Sequence, residues 1–279
     1  MQRATDAHSS EARAPQQVAD FICLRGVSLV YGEGADQTLA VDRLDLSMSR
    51  GELVAIVGPS GCGKSTLMKL VSGLTNSTTG LVEVRGRRVV EPVEGVGMAF
   101  QNPLLMPWRT TLRNVTLPLE VIPHPKDGLR RDRAWRDGRA RDLLGSVGLS
   151  GFEDKYPWQL SGGMQQRANL CRAIIHAPEI LLLDEPFGAL DTFTREDLWL
   201  AMQRLWMEQN FTSMLVTHDL QEAAFLADRI YVMSGRPGRI IQEQEVSFSR
   251  PRSLELLADP DFTTLVSQLR RIVAEARVQ

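Results

Sequence analysis

Nine consecutive residues, Gly58-Pro59-Ser60-Gly61-Cys62-Gly63-Lys64-Ser65-Thr66, follow directly on the aliphatic run Leu53-Val54-Ala55-Ile56-Val57. That juxtaposition restricts the fold more than anything else in the chain. An aliphatic run without polar alternation reads as a strand buried on both faces, as in a parallel sheet. The glycine-rich turn gives the backbone freedom that side chains deny it, and a helix is expected from Lys64 through Leu70. Strand, glycine turn and helix in this order form a phosphate-binding loop. Successive backbone N–H groups curl around the anion, and the helix N-terminus adds a favourable dipole. Lys64 is expected to reach the β- and γ-phosphates of a nucleotide, and the Ser65 hydroxyl to ligate Mg²⁺.

Composition narrows the setting. The 279 residues carry a net charge of −2, so no global field draws the protein to nucleic acid or anionic lipid. No apolar run approaches the ~18 residues that a membrane-spanning helix needs. Residues 1–20 are polar, lack the apolar core of a signal peptide, and read as a disordered tail. Cys23, Cys62 and Cys171 are too scattered for a zinc cage or a disulfide framework and read as reduced thiols. A maleimide adduct on Cys62, inside the loop, is expected to obstruct nucleotide, and nucleotide to protect Cys62 from labelling.

Segments 21–30 and 38–49 alternate like an antiparallel pair, and 80–90 resembles a hairpin arm. Aliphatic strands are expected at 180–183, 213–217 and 229–233, with helices at 194–208 and 219–226. Strands alternating with helices imply a parallel sheet covered on both faces. From about 103 to 165 the pattern turns helical, with Pro103, Pro107, Pro118, Pro123 and Pro125 breaking its first half. This reads as a helical insertion. Its basic stretch is interrupted by Asp132, Asp137 and Asp142, which favours a solvated helix face over a nucleic-acid patch. Near the end, Phe262, Leu265, Val266, Leu269, Ile272 and Val273 have the spacing of an amphipathic helix packed on its own domain.

Two further segments carry chemistry. The strand Ile180-Leu181-Leu182-Leu183 ends in Asp184 and Glu185. Beside a phosphate loop, Asp184 suits Mg²⁺, through water, and Glu185 suits a general base that polarises an attacking water. Leu160-Ser161-Gly162-Gly163-Met164 opens a helix through Ala173, with Ser161 as N-cap and two glycines exposing backbone N–H groups. That is a second anion site in one chain.

Taken in order, these motifs resemble the ATP-binding cassette ATPase family over about residues 21–245. The phosphate loop is followed by Gln101 behind Gly97-Met98-Ala99-Phe100, the Leu160–Met164 signature, the strand ending in Asp184-Glu185-Pro186, Gly188-Ala189-Leu190-Asp191, and Thr217-His218-Asp219. The resemblance implies an α/β P-loop NTPase cassette with a mainly parallel sheet core, an antiparallel β subdomain and the inserted helical subdomain. Residues 246–279 then form a C-terminal extension.

The resemblance also implies roles for single residues. ATP would lie on Gly58, Pro59, Ser60, Gly61, Cys62, Gly63, Lys64, Ser65 and Thr66, with Tyr31 stacking on adenine. Ser65, Gln101 and Asp184 would serve Mg²⁺. Glu185 would be the catalytic base, His218 would hold the γ-phosphate and orient Glu185, and Gln101 would contact Mg²⁺ and water. In the family two cassettes meet head to tail, so Ser161, Gly162 and Gly163 would donate to the partner copy's γ-phosphate while Asp191 bridges the subunits.

Met164 stands where the family signature usually has Gln. With Leu104-Leu105-Met106-Pro107-Trp108 and Arg236-Pro237-Gly238-Arg239-Ile240, this looks like the nitrate, sulfonate and taurine importer group. The expected partners are a second cassette, integral-membrane permease subunits and, indirectly, a substrate-binding protein, without nucleic acid. The expected place is the cytoplasmic face of a bacterial plasma membrane, and the cargo a small anion or a pyrimidine. A soluble cassette ATPase of DNA repair or translation and an exporter ATPase share the nucleotide motifs. The first usually carries two cassettes or a long coiled coil, which this chain lacks, and only resemblance disfavours the second.

Overall fold

The computed structural model describes residues 20–122, 132–188 and 190–276. The expected tail, Asp20 apart, the middle of the insertion, and Ala189 lie outside the described residues. Strands β1 (Ile22–Tyr31), β2 (Thr38–Met48) and β3 (Leu53–Val57) come first, then helix α1 (Lys64–Ser72). Next are β4 (Thr79–Val84), β5 (Arg87–Arg88) and β6 (Val96–Ala99). Four helices follow: α2 (Thr111–Thr116), α3 (Pro118–Val121), α4 (Arg133–Ser146) and α5 (Gly162–Ile174). The chain then alternates β7 (Ile180–Asp184), α6 (Thr192–Gln209), β8 (Thr212–Val216), α7 (Leu220–Leu226) and β9 (Arg229–Met233). It closes with β10 (Ile240–Glu245) and α8 (Pro260–Glu275).

The strands form two sheets, ordered β2-β1-β4-β5 and β10-β9-β3-β8-β7-β6. The first is antiparallel throughout. The second is parallel from β9 to β6, with β10 added antiparallel at its edge. Strand side chains alternate between faces, and each central strand accordingly feeds two cores. Leu53, Ala55, Val57, Leu181, Leu183 and Leu215 face one core, which also takes α5, α6, α7 and α8. Val54, Ile56, Ile180, Leu182, Met214 and Val216 face the other, closed by α1 and the antiparallel sheet. That is why these strands lack polar alternation. Each buried Leu, Ile or Val contributes about 1.5–3 kcal/mol.

The phosphate-loop strand occupies the centre of this sheet, between β9 and β8, so its C-terminal end is held from both sides. The helix α8 lies on its own fold: Phe262, Val266 and Leu269 are buried in the first core. Asp259 caps it by accepting the N–H groups of Asp261 and Phe262 at 2.8 and 3.2 Å. Sequence patterning missed β10. Its side chains are mostly exposed, as on an edge strand, so no aliphatic run marks it.

Among the described residues, 103–165 hold helices and no strand. Buried Asn114 organises the start of this stretch. Its carboxamide accepts the Met106 N–H at 2.7 Å and donates to the carbonyls of Met106, Arg109 and Thr110 at 3.0–3.1 Å. The pinned segment leaves Leu104 and Trp108 67 % and 72 % exposed. The basic helix α4 is solvated, with Arg113 and Arg133 both on Asp137.

Candidate functional site

The phosphate loop runs from the end of β3 into α1. Gly58, Gly61 and Gly63 have φ of 157°, 75° and 100°, which side chains rarely adopt. A Cβ on Gly63 would also lie 2.6 Å from Val41 Cγ1. Lys64 is only 7 % exposed. Its Nζ donates to the carbonyls of Gly58 and Pro59 at 3.0 and 2.9 Å, so the cation sits within the turn. Ser60, Gly61 and Ser65 are exposed. Tyr31 lies at the loop, its hydroxyl 3.4 Å from Thr66 Oγ1, and its 39 % exposure excludes a core tyrosine.

Cys62 overturns one expectation. Its side chain belongs to the core beneath the loop, 1 % exposed, and burial pushes its thiol pKa up. A buried, protonated thiol is a poor nucleophile. The side chain of Cys62 is closed to an anion, and maleimide labelling reports opening of the loop rather than nucleotide.

Asp184 ends β7 beside α1. Burial raises its carboxyl above the usual aspartate range, while the Ser65 hydroxyl lowers it. Glu185 follows in a left-handed conformation, φ 45°, with its N–H bonded to the Val216 carbonyl at 2.8 Å. Its Oε2 accepts from Gln101 Nε2 at 3.0 Å and lies 3.3 Å from His218 Nδ1. Three residues separated in sequence by 84 and 33 positions thus meet at one carboxylate oxygen. A non-glycine residue held at positive φ costs about 1–3 kcal/mol and persists only where the surrounding structure holds it.

Thr217 and His218 follow β8, and Asp219 caps α7. Asp219 Oδ1 accepts the N–H groups of Gln221 and Glu222 at 2.9 and 3.2 Å, while Oδ2 takes Arg195 at 2.9 Å. Arg195 also donates to the Leu190 carbonyl at 3.0 Å, tying the loop before α6 to the one before α7. Arg195 and buried Glu222 escaped sequence reasoning. Asp219 and Glu222 do have capping-box spacing, but spacing says nothing about burial.

Ser161 and Asp191 serve as helix caps. Ser161 Oγ accepts the Met164 N–H at 3.2 Å, and Asp191 Oδ1 accepts the Thr194 N–H at 3.1 Å. Ser161 and Gly162 are exposed, and a Cβ on Gly162 would meet nothing within 4 Å. The chain therefore presents an anion-binding loop, a carboxylate with two polar partners, and a separate solvent-facing helix N-terminus. A terminal phosphoryl group held at the loop and a water held by Glu185 would be the reactants of phosphoanhydride hydrolysis.

Comparison with known proteins gives this arrangement a context. The family model described as ABC transporter matches residues 41–188. The bicarbonate transport ATP-binding protein CmpD of Synechocystis sp. is 38% identical over 252 residues, 90% of this chain and 88% of the relative. The taurine import ATP-binding protein TauB of Escherichia coli is 37% identical over 243 residues, 85% and 92%. The aliphatic sulfonates import ATP-binding protein SsuB of Bacillus licheniformis is 40% identical over 223 residues, 80% and 84%. Among solved structures, the ATP-binding cassette MJ0796, a dimer in a post-hydrolysis state with ADP and Pi, superposes with a TM-score of 0.73 at 31% identity. That match covers 82% of this chain and 100% of the other.

Proposed function

The chain belongs to the ABC transporter family of ATP-binding cassettes, and on that premise we propose that it hydrolyses ATP to drive import of a small anion. It is an ATP-binding subunit of α/β cassette fold, working as a dimer with membrane permease subunits. The reading rests on the convergence of Gln101 and His218 on Glu185 Oε2 beside a phosphate loop. Bicarbonate, taurine and sulfonates, named for the relatives, each carry an oxyanion, and a cargo of that class fits this chain better than a pyrimidine. Residues 21–245 are the nucleotide-binding unit, 103–165 its helical insertion, and 246–279 an extension.

In this reading, loop N–H groups from Gly58 to Thr66 cradle the phosphates, and Lys64 exchanges its two loop carbonyls for β- and γ-phosphate oxygens. Tyr31 stacks on adenine. No group of three or more His, Cys, Asp or Glu among the described residues forms a metal cage. Mg²⁺ fits all the same, because it takes hard oxygen ligands and keeps phosphate and water in its shell. Half-buried Asp184, the Ser65 hydroxyl beside it and the Gln101 carboxamide are such donors. When bound, the ion neutralises charge on the transferring phosphoryl group.

Glu185 takes the proton of the attacking water, and His218 orients Glu185 and reaches the γ-phosphate. Ser161, Gly162 and Gly163 donate to the γ-phosphate held by the partner copy, an electrostatic stabilisation of developing charge. Asp191 bridges the two copies. Because ATP favours the closed dimer, binding closes it and hydrolysis reopens it.

No helix among the described residues is long and apolar enough to cross a membrane. The pinned, exposed Leu104–Trp108 segment receives a short permease helix at the cytoplasmic face of a bacterial plasma membrane, and a substrate-binding protein delivers the anion to the permease. One copy holds half of each site, so turnover per chain should rise with protein concentration until dimers form. A proven monomer with concentration-independent turnover sinks the half-site reading. Cargo follows from ATPase assays of the reconstituted complex with bicarbonate, nitrate, taurine and alkanesulfonates.

A further inference from the structure

Glu222 is far more buried than its place in a first helical turn requires. It is 2 % exposed, lies four residues after His218, and its carboxyl lies beside the hydroxyl of Thr217. Thr217 in turn accepts the Asp219 N–H at 3.0 Å, so its hydroxyl joins both sides of the His218 turn. Glu222 also lines a narrow cleft of about 30 Å³ with Glu185, His218, Asp219 and Arg195. Its Oε1 lacks a close hydrogen-bond partner, and the Trp199 indole N–H of α6, likewise without one at hydrogen-bond distance, is the donor that faces the carboxyl.

The charged and titratable groups around it are Asp219 on its own helix, Arg195 from α6, Glu185 from the turn after β7, and His218 from the turn before α7. The only cation of fixed charge among these, Arg195, is engaged by Asp219 and by the Leu190 carbonyl. Glu222 is thus a buried carboxyl among carboxylates without a cation of its own. Burial first, then Asp219, push it up to about 8, so it is mostly protonated at neutral pH. Ionisation would put another negative charge into the cleft that holds Glu185 and Asp219, and would pull on Thr217.

We propose that protonated Glu222 is a positioning residue for hydrolysis, holding Thr217 so that the His218 imidazole stays on Glu185. The inference rests on the reading of Glu185 and His218 as the hydrolytic pair. It is tested on the intact chain, at a concentration where turnover per chain has levelled off and at saturating ATP, from pH 7 to pH 9. Turnover of the wild type should fall about tenfold, as expected for loss of one proton near pH 8. In Glu222→Gln, whose amide stays neutral, the ratio of turnover at pH 9 to that at pH 7 should stay near one.

An equal alkaline loss in both chains overturns the proposal. Should Glu222→Gln fail to fold, infrared titration of the wild type decides instead. The carbonyl stretch of one buried carboxylic acid should disappear between pH 7 and 9, and its absence at pH 7 refutes the proposal. Glu185→Gln, measured alongside, separates the two readings. If it keeps turnover, the hydrolytic pair itself is wrong. If it loses turnover while Glu222→Gln retains the alkaline loss, only the role of Glu222 falls.

Discussion

Replacing Glu185 with glutamine is expected to lower ATP turnover by about two to four orders of magnitude while ATP binding persists, the range for removing a general base. Glutamine has the shape of glutamate, so Oε1 of the amide can still accept from Gln101, and the phosphate loop is untouched. What disappears is the capacity to take a proton from water. Binding without hydrolysis should trap the closed state, and ATP-bound dimers should accumulate on a sizing column. Turnover within tenfold of the wild type would remove Glu185 from the role of base. His218→Ala should follow the same direction, since it also removes the γ-phosphate contact assigned to the imidazole.

The second large effect is expected far from the phosphate loop in sequence, at Gly238→Ala. A Cβ on Gly238 would fall on the Cys62 carbonyl oxygen and within 2.7 Å of the Met233 methyl. The residue has little room to withdraw, because its N–H donates to the Ala40 carbonyl at 3.0 Å and its carbonyl accepts the Asp42 N–H at 2.9 Å. The clash therefore pushes on Cys62, inside the phosphate loop. Overpacking of this kind costs about 1–3 kcal/mol or more, and ATP affinity should fall at least about tenfold. Gly138→Ala is the control: nothing lies within 4 Å of its Cβ, and alanine favours the helix by about 1 kcal/mol. Calorimetry and nucleotide titration of both variants measure this. Wild-type ATP affinity in Gly238→Ala would break the link between the two segments.

Gly238 marks the boundary of what could be read in advance. The Arg236–Ile240 phrase entered only as a mark of resemblance, yet its glycine is where a late turn abuts the phosphate loop. Such a contact joins positions 176 apart, and no local pattern encodes it. The main strands were legible because burial on both faces leaves an aliphatic run with no alternation, and β3 matches Leu53–Val57 residue for residue. The mostly exposed β10 was not. At the site, Lys64, Ser65 and Asp184 follow from loop chemistry. The meeting of Gln101, Glu185 and His218 came from family resemblance, and the structure supplies its distances. Cys62 and Glu222 were misjudged or missed for one reason: depth in the fold sets their chemistry, and one sequence carries no record of depth.

The left-handed backbone of Glu185 has a consequence for how this position evolves. Glycine or asparagine would relax that conformation, so selection for folding alone favours leaving glutamate behind. A carboxylate persists there only while turnover is selected. Descendants freed from that demand should drift toward more stable and silent chains, and laboratory screens that reward thermostability without an activity assay will drift the same way.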